Sequence, residues 1–412
     1  MTNNNNCPAR VLQVLGGTGL GGAESRIMDL YRHIDRDKLQ FDFLVHSDAN
    51  PRQPQFYDEE IHSLGGNIYV LPRFRVYNYF SYRKSIKKFF DEHKEFSAVH
   101  GHMTSTAAIY LPIAKKSGVK VTLAHARSAG VDPGIKGKIT NVLRKNLWKK
   151  ADKCLACSTE AGYSAFGKKA MDKGIVEIFY NAIDVDRFVN PKLDSSNNPD
   201  IIDKNSIINN VDELSDNKFI IGHVGRFHVA KNHLFLVRVF ARLLDEINKK
   251  EKELAKKDFR LLLVGDGELS NDVKKLAASF SLEDKIIFAG NQKDVEKYYQ
   301  QMNIFCFPSI YEGMPGTVVE AQASGLKCLI SDRITSEVVA TDLVKQLPVI
   351  DCNGDLTSGY DADIYHKWAA EIIAAIKEKP IIDSAKYCEE LKAKGFDVNT
   401  QAKHLYDLYK II

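Results

Sequence analysis

Two glutamates eight positions apart, Glu312 and Glu320, bracket the loop Gly-Met-Pro-Gly at 313–316. Upstream, 304–308 (IFCFP) is a short apolar run ended by proline, which predicts a buried strand. Downstream, 317–323 predicts a helix that opens behind Pro315 and stops near Gly325. Strand, tight loop and helix in that order leave free backbone N–H groups and partial positive charge at the helix start. That setting suits a phosphate or a row of hydroxyls. Glu312 falls in the loop and Glu320 one turn inside the helix. A carboxylate accepts hydrogen bonds, so its partners there are sugar hydroxyls rather than phosphate.

A second constellation is cationic. Arg226 directly follows the apolar run 219–225 (FIIGHVG), at a strand's carboxyl end, where ligands collect in parallel sheets. Lys231 comes five residues later, at the start of a predicted helix over 232–244. Two fixed cations one loop apart suit a diphosphate, and plain surface charge is the alternative. Gly265-Asp-Gly267 and Gly290-Asn291-Gln292 end two later apolar runs, the first being a turn signal in its own right.

Near the start, Gly17-Thr-Gly19-Leu-Gly21-Gly22 follows the first apolar run and opens the first predicted helix. Glycine lets backbone approach a phosphate closely. The stretch fits G-x-G-x-x-G, so an NAD-dependent oxidoreductase or epimerase is a rival, with Asp48 as its candidate ribose ligand. A tight turn without a ligand is the other alternative. The separate phosphate apparatus around Arg226 weighs against NAD.

His100 and His102 share one face of a strand end, and His125 with Arg127 ends the next strand, where both could serve an acceptor. Imidazole pairs chelate metals, but no third ligand follows at a ligand-like spacing. Asp361-Ala-Asp363 has the letters of a cation motif and lies outside the strand ends. The expectation is no metal and no cofactor.

The elements that must position these residues alternate. Apolar runs at 10–16, 40–46, 67–71, 97–102, 120–125, 153–158 and 176–180 are separated by helical stretches. The pattern restarts at 219–225, 259–265, 286–290, 304–308 and 327–331. Such alternation predicts βαβ units and parallel sheets. The Asn/Asp/Ser-rich 190–217 has no periodicity and predicts a linker. The expected division is 1–189, a first α/β domain; 190–217, a connection; 218–382, a second α/β domain; and 383–412, a tail read as helix.

Taken together, Glu312-GMPGTVV-Glu320, the 19–24 stretch GLGGAE, Gly225-Arg-Phe-His-Val-Ala-Lys231 and Gly265-Asp-Gly267 resemble glycosyltransferase family 4, the group 1 retaining glycosyltransferases, similar to those of exopolysaccharide and capsule synthesis. The resemblance spans nearly the whole chain and is weakest at 190–217. It implies the α/β GT-B fold, two Rossmann-like domains facing across a cleft, with the tail helix crossing back onto the first. It implies that Arg226 and Lys231 bind the donor diphosphate, that the backbone at Asn291 holds the base, and that His102 faces the transferred sugar or reaction centre. In a glycosyltransferase reading, Glu320 holds the ribose and Glu312 holds the sugar together with the backbone of Met314, Pro315, Gly316 and Thr317. Gly21 and Gly22 approach the diphosphate from the first domain. The expected partners are a nucleotide-diphosphate sugar, with uracil as the chosen base, and a saccharide or polyprenyl-diphosphate-linked acceptor. A glycoside hydrolase using Glu312 and Glu320 needs them on opposite sides of one bond, which a loop–helix position does not favour. A non-catalytic nucleotide-sugar-binding protein stays open, because fold does not prove turnover.

Composition narrows the setting. With 412 residues the chain has room for two cores, and a net charge of +4 is too small to argue for nucleic acid. Seven cysteines form no disulfide framework, and Cys154-Leu-Ala-Cys157 lies inside an apolar run, which suits buried strand thiols. The N-terminus lacks a secretory pattern and no run of about 18 apolar residues occurs, so a cytoplasmic location is expected. Two basic stretches, 82–90 and 135–153, mix Lys and Arg with large apolar residues. Either they are solvated helix faces or they rest on an anionic membrane.

Overall fold

Short runs rich in Val, Ile, Leu and Phe, most of them buried, form two all-parallel sheets in a computed structural model of the chain. The structure describes residues 7–130, 134–189, 218–378 and 384–410, so the expected connection at 190–217 lies outside the described residues. Contacts divide the chain into two units. One comprises Met1–Asp184, Gly313–Pro315 and Gly395–Ile412; the other comprises Val185–Glu312 and Gly316–Lys394.

The first unit holds β1 (Ala9–Val14), β2 (Leu39–His46), β3 (Ile68–Leu71), β4 (Phe96–Gly101), β5 (Val121–Ala126), β6 (Lys153–Ala156) and β7 (Val176–Ile178). Their order is β3-β2-β1-β4-β5-β6-β7. The order of strands reverses between β1 and β4, so the loops leaving those two strands diverge and open a crevice at their carboxyl ends. The second unit repeats the plan with β8 (Lys218–Val224), β9 (Asp258–Val264), β10 (Ile286–Gly290), β11 (Ile304–Phe307), β12 (Lys327–Ser331) and β13 (Val344–Leu347). Its order is β10-β9-β8-β11-β12-β13, with the reversal between β8 and β11. Strand β13, VKQL, is too short and polar to be legible beforehand.

Where the sequence suggests one helix over 383–412, the structure has two, Ser384–Ala393 and Val398–Tyr409. Gly395 breaks them, at φ 87°, a left-handed conformation that glycine adopts without strain. Asp397 then caps the second helix, its Oδ2 accepting from the Thr400 N–H at 2.8 Å. The first of these helices belongs to the second unit and the other to the first unit. Val398, Ala402, Leu405 and Tyr409 fall on one helical face and are buried with Val11, Ile27, Phe41 and Phe43 in the first unit's core. The second unit closes around Phe235, Leu261, Leu263 and Trp368.

Candidate active site

In the second unit the chain leaves β8 through Gly225, Arg226 and Phe227. Two glycines of the next loop let that turn lie against backbone. A Cβ on Gly265, whose φ is +128°, would stand 2.3 Å from the Gly225 carbonyl oxygen, and one on Gly267 would stand 2.6 Å from that of Phe227. The turn signal at 265–267 is thus a packing requirement beneath Arg226. The chain then makes one 3₁₀ turn, Val229–Lys231, and Asn232 takes a left-handed conformation, φ 56°, that redirects it into the helix His233–Lys250. Asn tolerates that conformation. The Asn232 amide also donates to the carbonyls of Ile350 (2.8 Å) and Pro308 (3.3 Å).

The outcome is that Lys231 meets Glu312. Lys231 Nζ lies 2.5 Å from Glu312 Oε1, both side chains being largely covered. Ser309, fully buried, holds the same oxygen: its hydroxyl lies 2.6 Å from Glu312 Oε1 and 2.6 Å from the Ala230 carbonyl. These residues follow β8 and β11, the two strands that flank the reversal. Arg226 is exposed and its guanidinium has no hydrogen bond or ion pair among the described residues. Of the two expected diphosphate cations, then, Lys231 is already paired with a carboxylate and Arg226 is open.

The helix after the loop runs Gly316–Ala323, and Glu320 is buried on it. The Tyr299 hydroxyl lies 2.9 Å from Glu320 Oε2 and 3.1 Å from the Thr317 carbonyl, so one proton is shared between two acceptors. Thr317 Oγ1, at the second helical residue, is shielded from solvent and finds no partner among the described residues. Asn291 is exposed beyond β10, while Gln292 folds back to the Ala289 carbonyl at 2.6 Å. Met314 and Pro315 are buried and group with the first unit, where the Met314 carbonyl accepts from Asn181 Nδ2 at 2.9 Å.

In the first unit Gly21 caps the helix Gly22–His33 without a side-chain hydrogen bond. A Cβ on Gly19 or Gly22 would meet nothing within 4 Å, so the protein's own packing does not demand glycine at either. Asp48, the ribose ligand of the NAD alternative, is occupied: Arg75 Nη2 donates to Oδ2 at 2.8 Å and the Arg73 N–H to Oδ1 at 3.1 Å. Cys154 and Cys157 are buried and form no disulfide, and burial pushes the Cys154 thiol up to about 12, far from redox use.

Strands β4 and β5 are adjacent, and this brings His125 to the His100–His102 pair. The third histidine that local spacing hides is therefore supplied by strand pairing. His100 Nε2 lies 3.0 Å from His125 Nδ1, and His100 Nδ1 lies 2.7 Å from the Tyr409 hydroxyl. His102 Nε2 lies 2.9 Å from Gln13 Oε1 and its Nδ1 accepts from Arg127 Nε at 3.2 Å. Burial holds all three imidazoles well below the usual histidine range and brings Arg127 down to about 10. Gln13, Tyr409, Tyr299 and Ser309 escaped sequence reasoning. Their only signal is that each is a polar residue among apolar ones, at Gln13 within β1 and at Ser309 just past β11.

Two parallel sheets, each with a ligand-side crevice at a strand reversal, define a two-domain Rossmann-like enzyme fold. The family described as Glycosyltransferase Family 4 matches residues 20–187, and that described as Glycosyl transferases group 1 matches 218–356. A relative of full length, EpsF of Bacillus subtilis (strain 168), assigned as a glycosyltransferase, is 32% identical over 412 residues, 99% of this chain and 98% of its own. The chain belongs to glycosyltransferase family 4, and it is a glycosyltransferase of the GT-B fold. The Escherichia coli UDP-Gal:alpha-D-GlcNAc-diphosphoundecaprenol alpha-1,3-galactosyltransferase is 24% identical over 321 residues, 77% of this chain and 76% of its own. Among solved structures, Anabaena HepE in complex with UDP and glucose superposes with a TM-score of 0.70 at 16% identity, over 98% of this chain and 99% of its own, a likeness of fold.

Proposed function

We propose that this enzyme moves a hexose or N-acetylhexosamine from a UDP-sugar to a saccharide carried on a polyprenyl diphosphate, with retention, during assembly of a surface polysaccharide. The observation that carries the reading is the Lys231–Glu312 pair beside an open Arg226, at the strand reversal of the second sheet. The names of the relatives support the donor and acceptor: the E. coli protein takes UDP-Gal and a diphosphoundecaprenol-linked sugar.

The ammonium of Lys231 has three donors, of which Glu312 takes one. The other two, with the Arg226 guanidinium, meet the donor's diphosphate and offset the charge that builds as the glycosidic bond breaks. Glu312 accepts from sugar hydroxyls, while the N–H groups of Gly316 and Thr317 meet the sugar's oxygens. Glu320, oriented by Tyr299, accepts from the ribose, and the backbone at Asn291 holds the base. Gly21 and Gly22 leave room for phosphate at the first helix. His102, His125 and Arg127 serve the acceptor side. With no carboxylate among the described residues assigned as nucleophile, attack proceeds from the face the leaving group departs. No metal takes part, since the two cations do its work.

A peripheral membrane contact fits a lipid-borne acceptor. No helix among the described residues is long and apolar enough to cross a membrane. The helix Tyr79–Glu92 buries Tyr82, Ile86, Phe89 and Phe90, and turns Phe80, Arg83, Lys84, Lys87 and Lys88 outward. Next to it Val76 and Tyr77 are exposed, Tyr77 at 83% and Phe80 at 84%. Apolar rings among cations match an anionic lipid surface at the cytoplasmic face.

The test is transfer from labelled UDP-glucose, UDP-galactose and their N-acetylhexosamine counterparts to short-chain prenyl-diphosphate saccharides, with the new linkage read by NMR. An α-linked product is expected with one donor. A β-linked product, or NAD(H) bound in preference to every UDP-sugar, would overturn the reading.

A further inference from the structure

A single chain of hydrogen bonds runs through the buried end of the first sheet: Arg127, His102, Gln13, Tyr409, His100, His125. Its members come from β1, β4, the residue just past β4, β5, the loop after β5 and the C-terminal helix, so no stretch of sequence contains it. The direction of each bond follows from one end. Arginine has donors only. Arg127 Nε therefore donates to His102 Nδ1, and that nitrogen carries no proton. Neutral His102 must then bear its proton on Nε2, which faces the Gln13 carbonyl oxygen. With that oxygen turned to His102, the Gln13 amide nitrogen points to the Tyr409 hydroxyl at 3.3 Å and donates to it. The Tyr409 proton goes on to His100 Nδ1, and His100 Nε2 donates to His125 Nδ1. Every bond within the chain is made in this one sense, and at its far end the buried His125 Nε2–H has no partner among the described residues.

Remove Arg127 and the opposite sense becomes equally complete. His125 Nδ1 donates to His100, His100 to Tyr409, Tyr409 to a flipped Gln13, and Gln13 to His102. The two senses differ in the tautomer of every histidine, which no heavy-atom position reveals. The donor-only guanidinium breaks that tie.

We infer that Arg127 is a positioning residue that fixes His100, His102 and His125 as neutral Nε2–H tautomers through Gln13 and Tyr409, leaving His102 no open lone pair for service as a base. The three imidazoles also lie close enough together for a metal, with ligand nitrogens within 4.8 Å of one another. The chain assigns against that: each Nδ1 lone pair is engaged by a donor, and a cation would have to displace Arg127 beside it. The link to catalysis rests on the reading above that His102 faces the reacting sugars, but the tautomers do not depend on that reading.

The experiment is long-range ¹H–¹⁵N NMR of the full chain labelled at histidine, each ring assigned by the signal lost in its own His→Gln variant. The wild type is expected to show three pure Nε2–H rings near neutral pH. Tyr409→Phe cuts the chain in the middle: His102 stays pure, while His100 and His125 become mixtures. Arg127→Met frees the whole chain, so all three become mixtures, and Arg127→Lys, also donor only, restores the single sense. In transfer assays Arg127→Met lowers kcat by about tenfold or more at little change in donor KM. An Nδ1–H signal for His102 in the wild type would overturn the assignment. So would mixing at His102 in Tyr409→Phe, or visible absorption bands from a tightly held Co²⁺ on addition of that ion. If Arg127→Met does not fold by circular dichroism, the wild-type and Tyr409→Phe spectra still decide. Pure tautomers without any sugar transfer would leave this inference standing and sink the proposed activity instead.

Discussion

Lys231 and Glu312 are 81 residues apart in sequence, and their side chains meet at 2.5 Å. The pair ties the loop after β8 to the loop after β11, the two loops that the strand reversal places side by side. It also separates the two cations: Lys231 is held by a carboxylate of the protein, and the exposed Arg226 guanidinium has no ion pair among the described residues.

Arg226→Ala and Lys231→Ala should each lower turnover by about 10²–10³ while raising the donor's KM far less, because charge on the leaving diphosphate is greatest in the transition state. Only Lys231→Ala should also lower thermal stability, by about 1–3 kcal/mol, since it strips a covered carboxylate of its partner. The double variant should lose less than the product of the two. Lys249→Ala, which removes an exposed pair with Asp245, should leave rate and melting unchanged. Unchanged rates in both single variants would remove the diphosphate site from this unit.

Glu320→Gln should weaken donor binding, and Glu312→Gln should lower turnover, with both proteins folded. Tyr299→Phe should resemble a mild Glu320→Gln, raising the donor's KM by an amount worth about 0.5–1.5 kcal/mol, one hydrogen bond. Steady-state kinetics with the preferred UDP-sugar reads all three. A Tyr299→Phe enzyme that lost kcat at constant KM would contradict the ribose role of Glu320.

Activity should survive excess chelator. Loss on chelation, restored by magnesium or manganese, would mean that a bound cation rather than Arg226 and Lys231 neutralises the leaving group.

Tyr77→Ser with Phe80→Ser should abolish sedimentation with anionic phosphatidylglycerol vesicles and leave transfer to a short, water-soluble acceptor intact. Both rings are exposed, so removing them costs the fold little. Equal sedimentation with neutral vesicles would argue against the charge-assisted contact.

Stability should fall as the solution is acidified from about pH 7 to about pH 5. His100, His102, His125 and His233 are held well below the ordinary range by burial, and His223 is brought to about 4. In that window the unfolded chain binds protons that the folded chain does not, so stability rises with pH and is lost on acidification. Each such group contributes up to about 1.4 kcal/mol per pH unit. A melting temperature flat across the window would show that these rings protonate in place.

What the sequence determined by itself was local and periodic. Apolar runs of strand length fixed twelve of the strands' positions to within a few residues, and the alternation with helices fixed their parallel pairing. The spacing of Glu312 and Glu320, the Gly-Arg-x4-Lys run and the first glycine loop marked the turns at strand carboxyl ends, because turn chemistry and strand ends are written in neighbouring residues. The break at Gly395 was not legible, since one glycine weighs little in a helical pattern until its φ is known. Tertiary structure alone decided which distant groups meet. Strand reversal set Lys231 against Glu312, strand pairing set His125 beside His100, and the return of the C-terminal helix to the first unit's core brought Tyr409 to both Gln13 and His100. Those meetings depend on sheet order and helix packing, which no local window of sequence encodes.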